Sequence, residues 1–522
     1  MNDLLIVYIG LGLILYIFFV LATARNAILK GMNAGLMLLL GLIIPPIAYL
    51  FTLGKPKVER KSSEDSTFLE NIIMELTQPF VDLGNTSRAL LGVNISYVLE
   101  GLTYFGVVGL LAIFFNQYIK LDDIDAGRMV GVLTAGITIA MLFLGATVDW
   151  IGLRKSLLIA LSLMFVGRVL LTMSPDLGEP GLWGSAHIIS LLGILGIILG
   201  YGIYQPACYA GVKQLTTEKT AAMGYAMLYA LMNLGGFLPG IISPPIRKAF
   251  QITGVFWVYA ALTVVGIGVV YFVITKKAMK DALDAIKDEK GESHEEEEDP
   301  MAEMTLKEKA KYYLKNFPMR DLRFMYFIFI LIPVQTLFAH NWLTLPQYTS
   351  RAFEGFVQDN FEFFVNLNPI LIFILTPMVA ALTSKKDTYK MMIYGTFVMA
   401  SPTFILAIGP SFTTLMAYLV LMTIGEAMWQ PRFLQWVAEI APKNMTGIYM
   451  GIGQFPWFLT KVVTSLYSGW FLMKYCPADV PPSQMNTETM WLIYGLIAII
   501  SPIGLVLAKN WMQKGFKVKH EG

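Results

Sequence analysis

Two glutamates stand in the middle of long apolar segments, and their chemistry is the most conspicuous in the chain. Glu100 and Glu426 each lie about thirteen residues from one end of a segment, or roughly 20 Å along a helix axis. A carboxylate is costly inside a bilayer and usually has a function there. Because burial favours the neutral acid, each could carry a proton or hold a cation. The alternative is structural: a protonated carboxyl group bonded to a backbone carbonyl.

Neutral polar residues in the same kind of apolar segment could complete a binding site around these acids. They are Tyr97, Tyr104, Gln205, Tyr229, Asn233 and Asn368. Uncharged donors and acceptors suit a polar ligand that is neutral or zwitterionic. The same groups could instead form interhelical hydrogen bonds, which contribute only about 0.6 kcal/mol on average in membranes. We predict that these six residues and Glu426 bind substrate, and that Glu100 and Glu426 are the candidates for proton coupling.

Charged residues near the ends of the apolar segments could control access to such a site. One loop reads Gly145-Ala-Thr-Val-Asp149-Trp-Ile-Gly152-Leu-Arg154-Lys155. Its glycines permit a tight turn and close helix approach. Asp149 can bind a helix N-terminus or an arginine, and Arg154 and Lys155 can anchor at headgroups.

Arg432 lies six residues beyond Glu426, towards the cytoplasmic end of the same segment. It could form an ion pair with Glu439 or extend to the membrane interface. It could instead close a cytoplasmic gate. We include Arg432 in the predicted gating set with Asp149, Arg154 and Lys155.

The composition requires these residues to be positioned by membrane-spanning helices. Of 522 residues, 56% are hydrophobic and 15% are charged, with a mean hydropathy of +0.59. A soluble domain carries roughly 25% charged residues. The apolar residues come in blocks near the ~20 residues needed to cross ~30 Å of hydrocarbon. Helices are implied because lipid cannot satisfy backbone polar groups.

Fourteen spans are predicted. They are 4–24, 32–53, 87–118, 129–149, 156–174, 186–212, 222–247, 254–275, 321–346, 361–383, 388–408, 412–438, 446–473 and 489–508. The spans divide into two, six and six. We therefore predict an all-α polytopic membrane protein with an N-terminal two-helix hairpin and two six-helix bundles. Such paired halves place a substrate site at their interface near the midplane.

The predicted organisation has six parts. They are a transmembrane hairpin (1–54), a cytoplasmic linker with an amphipathic helix over 66–83 (55–86), an N-terminal bundle (87–275), a charged cytoplasmic linker (276–320), a C-terminal bundle (321–508) and a basic cytoplasmic tail (509–522). Lysine and arginine concentrate in the loops assigned to the cytoplasm, which sets the orientation in a cytoplasmic (inner) membrane. Two pairs depart from this pattern: Arg247 with Lys248, and Arg25 with Lys30 in the hairpin turn.

Several function classes find no support in the sequence. The net charge is +2, which gives no sign of nucleic-acid binding. Cys208 and Cys476 lie far apart and form no metal or disulfide pattern. No metal-ligand cluster, Ser/His/Asp arrangement or phosphate-cradling loop is present, so neither an enzyme nor a cofactor or metal is predicted.

The loop from Gly145 to Lys155 resembles motif A of the major facilitator superfamily. In that family the motif stabilises one gating state. The resemblance implies the major-facilitator fold and alternating access, and it implies no particular substrate.

Five further stretches are similar to motifs of the proton-dependent oligopeptide transporter family. They are Tyr97–Gly106, Gly200–Pro206, Tyr229–Gly235, Asn368–Pro377 and Thr423–Pro431 with Ala441-Pro442-Lys443. They occur in the right spans and order, and the resemblance covers about 87–508. It implies that Glu426 contacts a peptide amino group, and its positional matches place Asn233 and Asn368 in the cavity.

The departures from that family concern charge. In the first core span, Tyr97 and Gly101 stand where the family has its first acid and its arginine. In the fourth core span, Gln205 stands where the family has a lysine. The seventh core span has no acid and carries Pro333, Gln335 and His340 instead. In the family these charges couple protons and bind carboxylates. Their joint loss suggests replacement of a coupled ionic set, since removing one partner would leave a buried charge unpaired.

The sequence therefore favours a secondary active transporter of small polar solutes, peptide-like or amino-acid-like, with proton coupling open. Its partners would be that small solute, such as a di- or tripeptide, protons and the lipid bilayer. The alternative is a transport-inactive or uncoupled carrier-fold protein, acting as a subunit or docking partner in a membrane complex. The N-terminal hairpin would be its contact surface for a protein.

Overall fold

The structure is a computed structural model. It describes residues 87–145, 147–216, 218–290, 318–383, 386–440 and 455–520, with 19–43 and the positions 16, 48–49, 52, 67, 69–70, 73–74, 77 and 452–453. Within these ranges the side chains at 142, 149, 218–223, 225–226, 229, 287–290, 377, 380–381, 434–435, 438–440 and 513–520 are outside the description.

In the N-terminal half, the secondary-structure elements of the described residues are all helices. Its helices are α1 (Phe19–Leu29), α2 (Ala34–Ile43), α3 (Arg88–Gln117), α4 (Asp123–Leu144), α5 (Thr147–Ile151), α6 (Leu153–Leu177), α7 (Ser185–Leu215), α8 (Glu218–Val273) and α9 (Lys276–Lys290). Helix α8 breaks at Gln251, whose φ of 61° and ψ of −173° are not helical. The break separates the two spans predicted over 222–247 and 254–275.

The C-terminal half contains more breaks. Its helices are α10 (Leu322–Ile330), α11 (Ile332–Leu343), α12 (Leu345–Arg351), α13 (Phe356–Asp359), α14 (Phe361–Val365), α15 (Leu367–Thr383), α16 (Thr388–Ala400), α17 (Thr403–Leu406), α18 (Phe412–Ile440), α19 (Phe455–Tyr475), α20 (Thr487–Ala498) and α21 (Ile500–His520). Pro333 is the second residue of α11, and Pro346 is the second residue of α12. Proline has no N–H to donate, so it is tolerated in a first helical turn and favours a new helix start there.

The described residues confirm an all-helical membrane protein, but they do not confirm fourteen spans. Eight helical stretches are long and apolar enough to cross a membrane, judged by length and composition. Much of 1–86 lies outside the described residues, and several predicted spans are divided into shorter helices. The amphipathic helix predicted over 66–83 lies mostly outside the description as well.

Part of the hairpin contacts the following linker. Arg25 Nη1 donates a hydrogen bond to Thr77 Oγ1 at 2.7 Å, and Lys30 Nζ donates to the carbonyl of Thr52 at 2.5 Å. The two hairpin cations that depart from the orientation pattern therefore have local partners. These described residues give no support to the predicted docking of a protein on the hairpin.

Local signals explain where the bundle helices begin. Ser87 caps α3 by accepting from the backbone N–H of Leu90, and Asp122 caps α4 by accepting from that of Asp125. Such side chains satisfy N–H groups that have no partner in the first helical turn. The predicted tight turn in the loop 145–155 occurs at Gly152, between α5 and α6, where φ is +82°.

The two bundles meet closely along a seam of small residues between α4 and α19. A Cβ atom at Gly131 would lie 2.2 Å from Ser465 Oγ, and one at Gly469 would lie 2.2 Å from the carbonyl oxygen of Asp123. Gly127 faces Ser468 in the same seam. Small residues let helix backbones approach each other in a membrane. This seam lies at the end of the bundles that the orientation assigns to the outside.

Candidate functional site

A cavity of about 140 Å³ lies between the two bundles. It is lined by Phe105, Met232, Asn233, Phe338, Asn341, Trp342, Val365, Asn366, Asn368, Pro369, Glu426 and Gln430. The lining combines apolar and aromatic walls with a few amides and one carboxyl group. That composition is typical of a site for a small organic ligand.

Glu426 is the acid of this cavity. It lies on α18, is 3% exposed, and its Oε2 accepts a hydrogen bond from Asn368 Nδ2 at 2.8 Å. The same Nδ2 donates to Thr423 Oγ1 at 3.0 Å, so Asn368 joins α15 to α18. Among the described residues Glu426 has no cationic partner. Its carboxyl group is thus held by a neutral amide and faces the cavity.

Asn233 on α8 brings a polar group from the N-terminal bundle to the same cavity. The bundles approach closely beside it at Gly236, where a Cβ atom would lie 3.1 Å from Phe105 Cδ2 and 3.2 Å from Pro369 Cγ. A larger residue at 236 would push α8 away from α15. The structure therefore brings together Glu426, Asn233 and Asn368, three of the predicted substrate-binding residues.

Glu100 lies elsewhere, inside the N-terminal bundle. Its Oε1 accepts from Arg168 Nη2, and its Oε2 accepts from Arg168 Nη1 at 3.0 Å and from Thr103 Oγ1 at 3.1 Å. Arg168 Nη1 also donates to Thr263 Oγ1 at 2.5 Å. Both charged side chains are 2% exposed. Glu100 is not part of the cavity lining and is held in a buried ion pair.

The predicted tyrosines form an aromatic cluster beside the site. Tyr97 stacks on Tyr204 with ring centroids 6.3 Å apart, and Tyr104 lies 4.7 Å from Tyr201. Gln205 is half-buried next to Tyr97. These residues are absent from the cavity lining. The side chain of Tyr229 lies outside the described residues.

The predicted gating residues lie towards the helix ends that the predicted orientation assigns to the cytoplasm. Arg154 Nη2 donates to the carbonyl of Tyr271 at 3.1 Å, and its guanidinium lies 5.1 Å from the centre of that ring. Lys155 is exposed. Arg432 Nη2 donates to the carbonyl of Thr383 at 2.7 Å. The side chain of Asp149 is outside the description, so its predicted role stays a prediction.

Ion pairs join the bundles at the opposite end, which the predicted orientation assigns to the outside. Arg351 bonds both oxygens of Asp123 at 2.7 Å and also donates to the carbonyl of Cys476. Burial lowers the pKa of Arg351, but the hydrogen bonds and the charge of Asp123 outweigh it, so the pKa lies above its ordinary value. Arg247 likewise pairs with both oxygens of Glu362. Both described ion pairs between bundles therefore hold the outer end closed.

Sequence reasoning missed several residues of these sites. Asn341 and Trp342 follow His340, and Gln430 lies one turn beyond Glu426, so helical spacing could have pointed to them. Arg168 was visible as a lone cation in an apolar span. His340 is buried and bonds Thr344 and Tyr467 instead of lining the cavity.

Two helical bundles around an interior cavity are the architecture of a multi-pass membrane transporter. The family model for the Major Facilitator Superfamily matches residues 93–465, which is more than half of the chain. The chain belongs to this superfamily.

Relatives within the superfamily are peptide transporters. The chain is 22% identical over 465 residues to dipeptide and tripeptide permease A of Escherichia coli (strain K12), covering 78% of this chain and 88% of the relative. A peptide transporter solved in complex with sulfate aligns with a TM-score of 0.62 and 16% identity, over 82% of this chain and 96% of that one. Another transporter of the same family, in complex with 5-aminolevulinic acid, gives 0.60 and 17%, with coverage of 82% and 97%. The chain is thus a major-facilitator transporter that resembles this family.

Proposed function

We propose that this protein carries small zwitterionic solutes, with a peptide-like or amino-acid-like backbone, across the cytoplasmic membrane by alternating access. The observation that supports this most directly is the cavity between the bundles, where Glu426 faces the interior without a cationic partner among the described residues. The peptide permease of E. coli and the ligand-bound relatives favour the same solute class.

In this proposal Glu426 holds the cationic amino group of the solute. A buried carboxylate with only a neutral amide partner gains most from an incoming ammonium group, because an isolated ionised group is costly in a low-dielectric interior. Asn368 orients the carboxyl group, and Asn233 adds a hydrogen-bonding group from the facing bundle.

The same carboxyl group is also the proposed carrier of any coupled proton. Glu100 is the second candidate, but Arg168 binds its carboxylate through two charge-assisted hydrogen bonds inside the N-terminal bundle, away from the cavity. We therefore assign coupling, where it occurs, to Glu426 before Glu100.

Uptake into liposomes tests the proposal. The protein is reconstituted, a pH gradient is imposed, and uptake of di- and tripeptides is followed together with internal pH. We expect peptide accumulation that exceeds the level in protein-free vesicles. Peptide uptake without proton movement identifies a facilitator. If no polar solute enters and another protein co-purifies, the docking-subunit interpretation replaces ours.

Alternating access has its own test at the outer end. Asp123→Asn removes the charge that Arg351 binds, and Ser465→Cys places a thiol in the closed seam. We expect labelling of this thiol from outside to rise several-fold in the double variant. The matched control is Arg128→Gln, which breaks the exposed pair with Asp125 on the same helix and should leave labelling unchanged. Equal labelling in both backgrounds would contradict an outer gate at this place.

A further inference from the structure

Lys461 is a cation in the middle of a membrane-spanning helix. Helix α19, which carries it, extends from Phe455 to Tyr475. Among the described residues Lys461 has neither a hydrogen-bond partner nor an ion-pair partner. Ionisable residues within membrane helices are rare and are functional-site candidates when no structural partner holds them.

The neighbours of Lys461 on α19 show where its side chain emerges. On one side, Thr460 Oγ1 donates to Gln335 Oε1 at 3.2 Å, and the ring of Trp457 lies 5.2 Å from that of Phe338. Both partners belong to α11 of the same bundle. This side of α19 therefore faces α11.

The other side of α19 faces the N-terminal bundle. Ser465 and Ser468 contact Gly131 and Gly127 of α4. Lys461 precedes Ser465 by four residues, about one helical turn, and follows Trp457 by four. Its direction thus falls between the α11 side and the α4 side, towards the space that separates the two bundles.

The lipid-facing side of α19 is different. Its exposed apolar residues are Val463, Leu466, Trp470 and Met473. At about 100° per residue, each lies at least about 120° around the helix from Lys461. Lys461 is half-buried and keeps a partly exposed surface. Its direction points away from the lipid-facing side of α19.

Trp457, one helical turn before Lys461, contacts a residue of the cavity described above. Phe338, which contacts Trp457, also lines that cavity. Glu426 and Lys461 are therefore opposite charges on successive helices of one bundle, and in the described part neither has an oppositely charged partner. A solute that carries both an ammonium and a carboxylate would satisfy both at once.

We propose that Lys461 binds the anionic group of the transported solute while Glu426 binds its cationic group. This assignment rests on the proposed transport function and specifies its substrate class: zwitterions with a free carboxylate. In this assignment Lys461 supplies the positive charge of the site, because Gly101 and Gln205 occupy the positions of the family's arginine and lysine in this chain.

Competition uptake with alanyl-alanine and its C-terminal amide tests the proposal. In the wild type the free carboxylate should compete at least about tenfold better than the amide. Lys461→Gln should remove most of that preference by weakening the free dipeptide alone, and Lys461→Arg should retain it. Lys474→Gln is the matched control, since Lys474 lies on the same helix over the ring of Trp470. Melting curves of each variant verify folding.

The outcomes separate the two proposals. If the wild type prefers the free carboxylate and Lys461→Gln keeps that preference, the assignment of Lys461 is wrong while the transport function stands. If the wild type carries neither compound, the transport function fails and the assignment fails with it. Equal weakening of both compounds in Lys461→Gln would indicate a structural lysine and overturn the assignment.

The accessibility of an introduced cysteine gives an independent test of the direction in which the side chain at position 461 points. Lys461→Cys should react with a membrane-impermeant thiol reagent from the aqueous side, and Val463→Cys on the lipid-facing side should not. The native Cys208 and Cys476 are buried and provide the background level. An unreactive thiol at 461 would remove the basis of the proposal.

Discussion

Two glutamates at similar depth in this protein have opposite surroundings. Glu100 in the N-terminal bundle is bound by the guanidinium of Arg168 and by Thr103. Glu426 in the C-terminal bundle is bound by the amide of Asn368 and faces a cavity. Both are nearly inaccessible, at 2% and 3% exposure. The partner, and not the depth, therefore separates a carboxylate that holds helices together from one that is available to a solute.

The largest expected effect comes from removing the partner of Glu100. Arg168→Met leaves a buried carboxylate without compensation, which costs roughly 3–5 kcal/mol of folding free energy. We expect a large drop in the apparent melting temperature and in the yield of monodisperse protein. Lys155→Met, at the exposed start of the same helix, is the control and should change neither. A melting temperature equal to that of wild type would show that the pair is not structural.

The second effect should appear in transport and not in stability. Glu426→Gln keeps the size of the side chain and its contact with Asn368 but removes the charge. We expect peptide uptake to fall at least about tenfold, or roughly 1.4 kcal/mol, with the melting temperature close to that of wild type. Glu179→Gln, an exposed acid in a loop, serves as the control. Undiminished uptake would remove Glu426 from the site.

A double-mutant cycle measures the coupling between Asn368 and Glu426. Asn368→Ser withdraws the amide that donates to Oε2 at 2.8 Å. We expect a coupling energy of about 1 kcal/mol in the apparent affinity for peptide, since a hydrogen bond to a charged group contributes about 1.5–3 kcal/mol at most. Strictly additive losses would indicate that the amide binds solute independently of the acid.

The smallest effect should come from replacing the whole buried pair. Glu100→Gln combined with Arg168→Met removes both charges together, which is often close to neutral for stability. We expect uptake within about threefold of wild type and a melting temperature well above that of Arg168→Met alone. Loss of proton-driven uptake in a stable double variant would instead assign proton coupling to Glu100.

The architecture was largely predictable because it depends on local sequence properties. Apolar length fixes which segments span a membrane, and the break at Gln251 separates two spans that were predicted apart. The number of spans was harder to predict, since Pro333 and Pro346 divide one apolar stretch into successive helices. A hydropathy value averaged over the whole apolar stretch does not show such helix breaks.

The site was predictable only in part. The cavity contains Glu426, Asn233 and Asn368, which were proposed from residue type and resemblance. The partner of Glu100 is 68 residues away on another helix, and no local pattern reveals which helices pack together. Lys461 presents the same problem, because an intramembrane lysine is visible in the sequence but the direction of its side chain is not.

The seam between α4 and α19 offers a way to choose which state of the protein is populated. An added methyl group at Gly469 would collide with the backbone at Asp123, at a place where both elements are rigid helix. That collision exists only while the two helices are pressed together and disappears once they separate. Gly469→Ala would therefore favour the conformation in which these helix ends are separated and the interior is open to the outside, without any inhibitor or ligand.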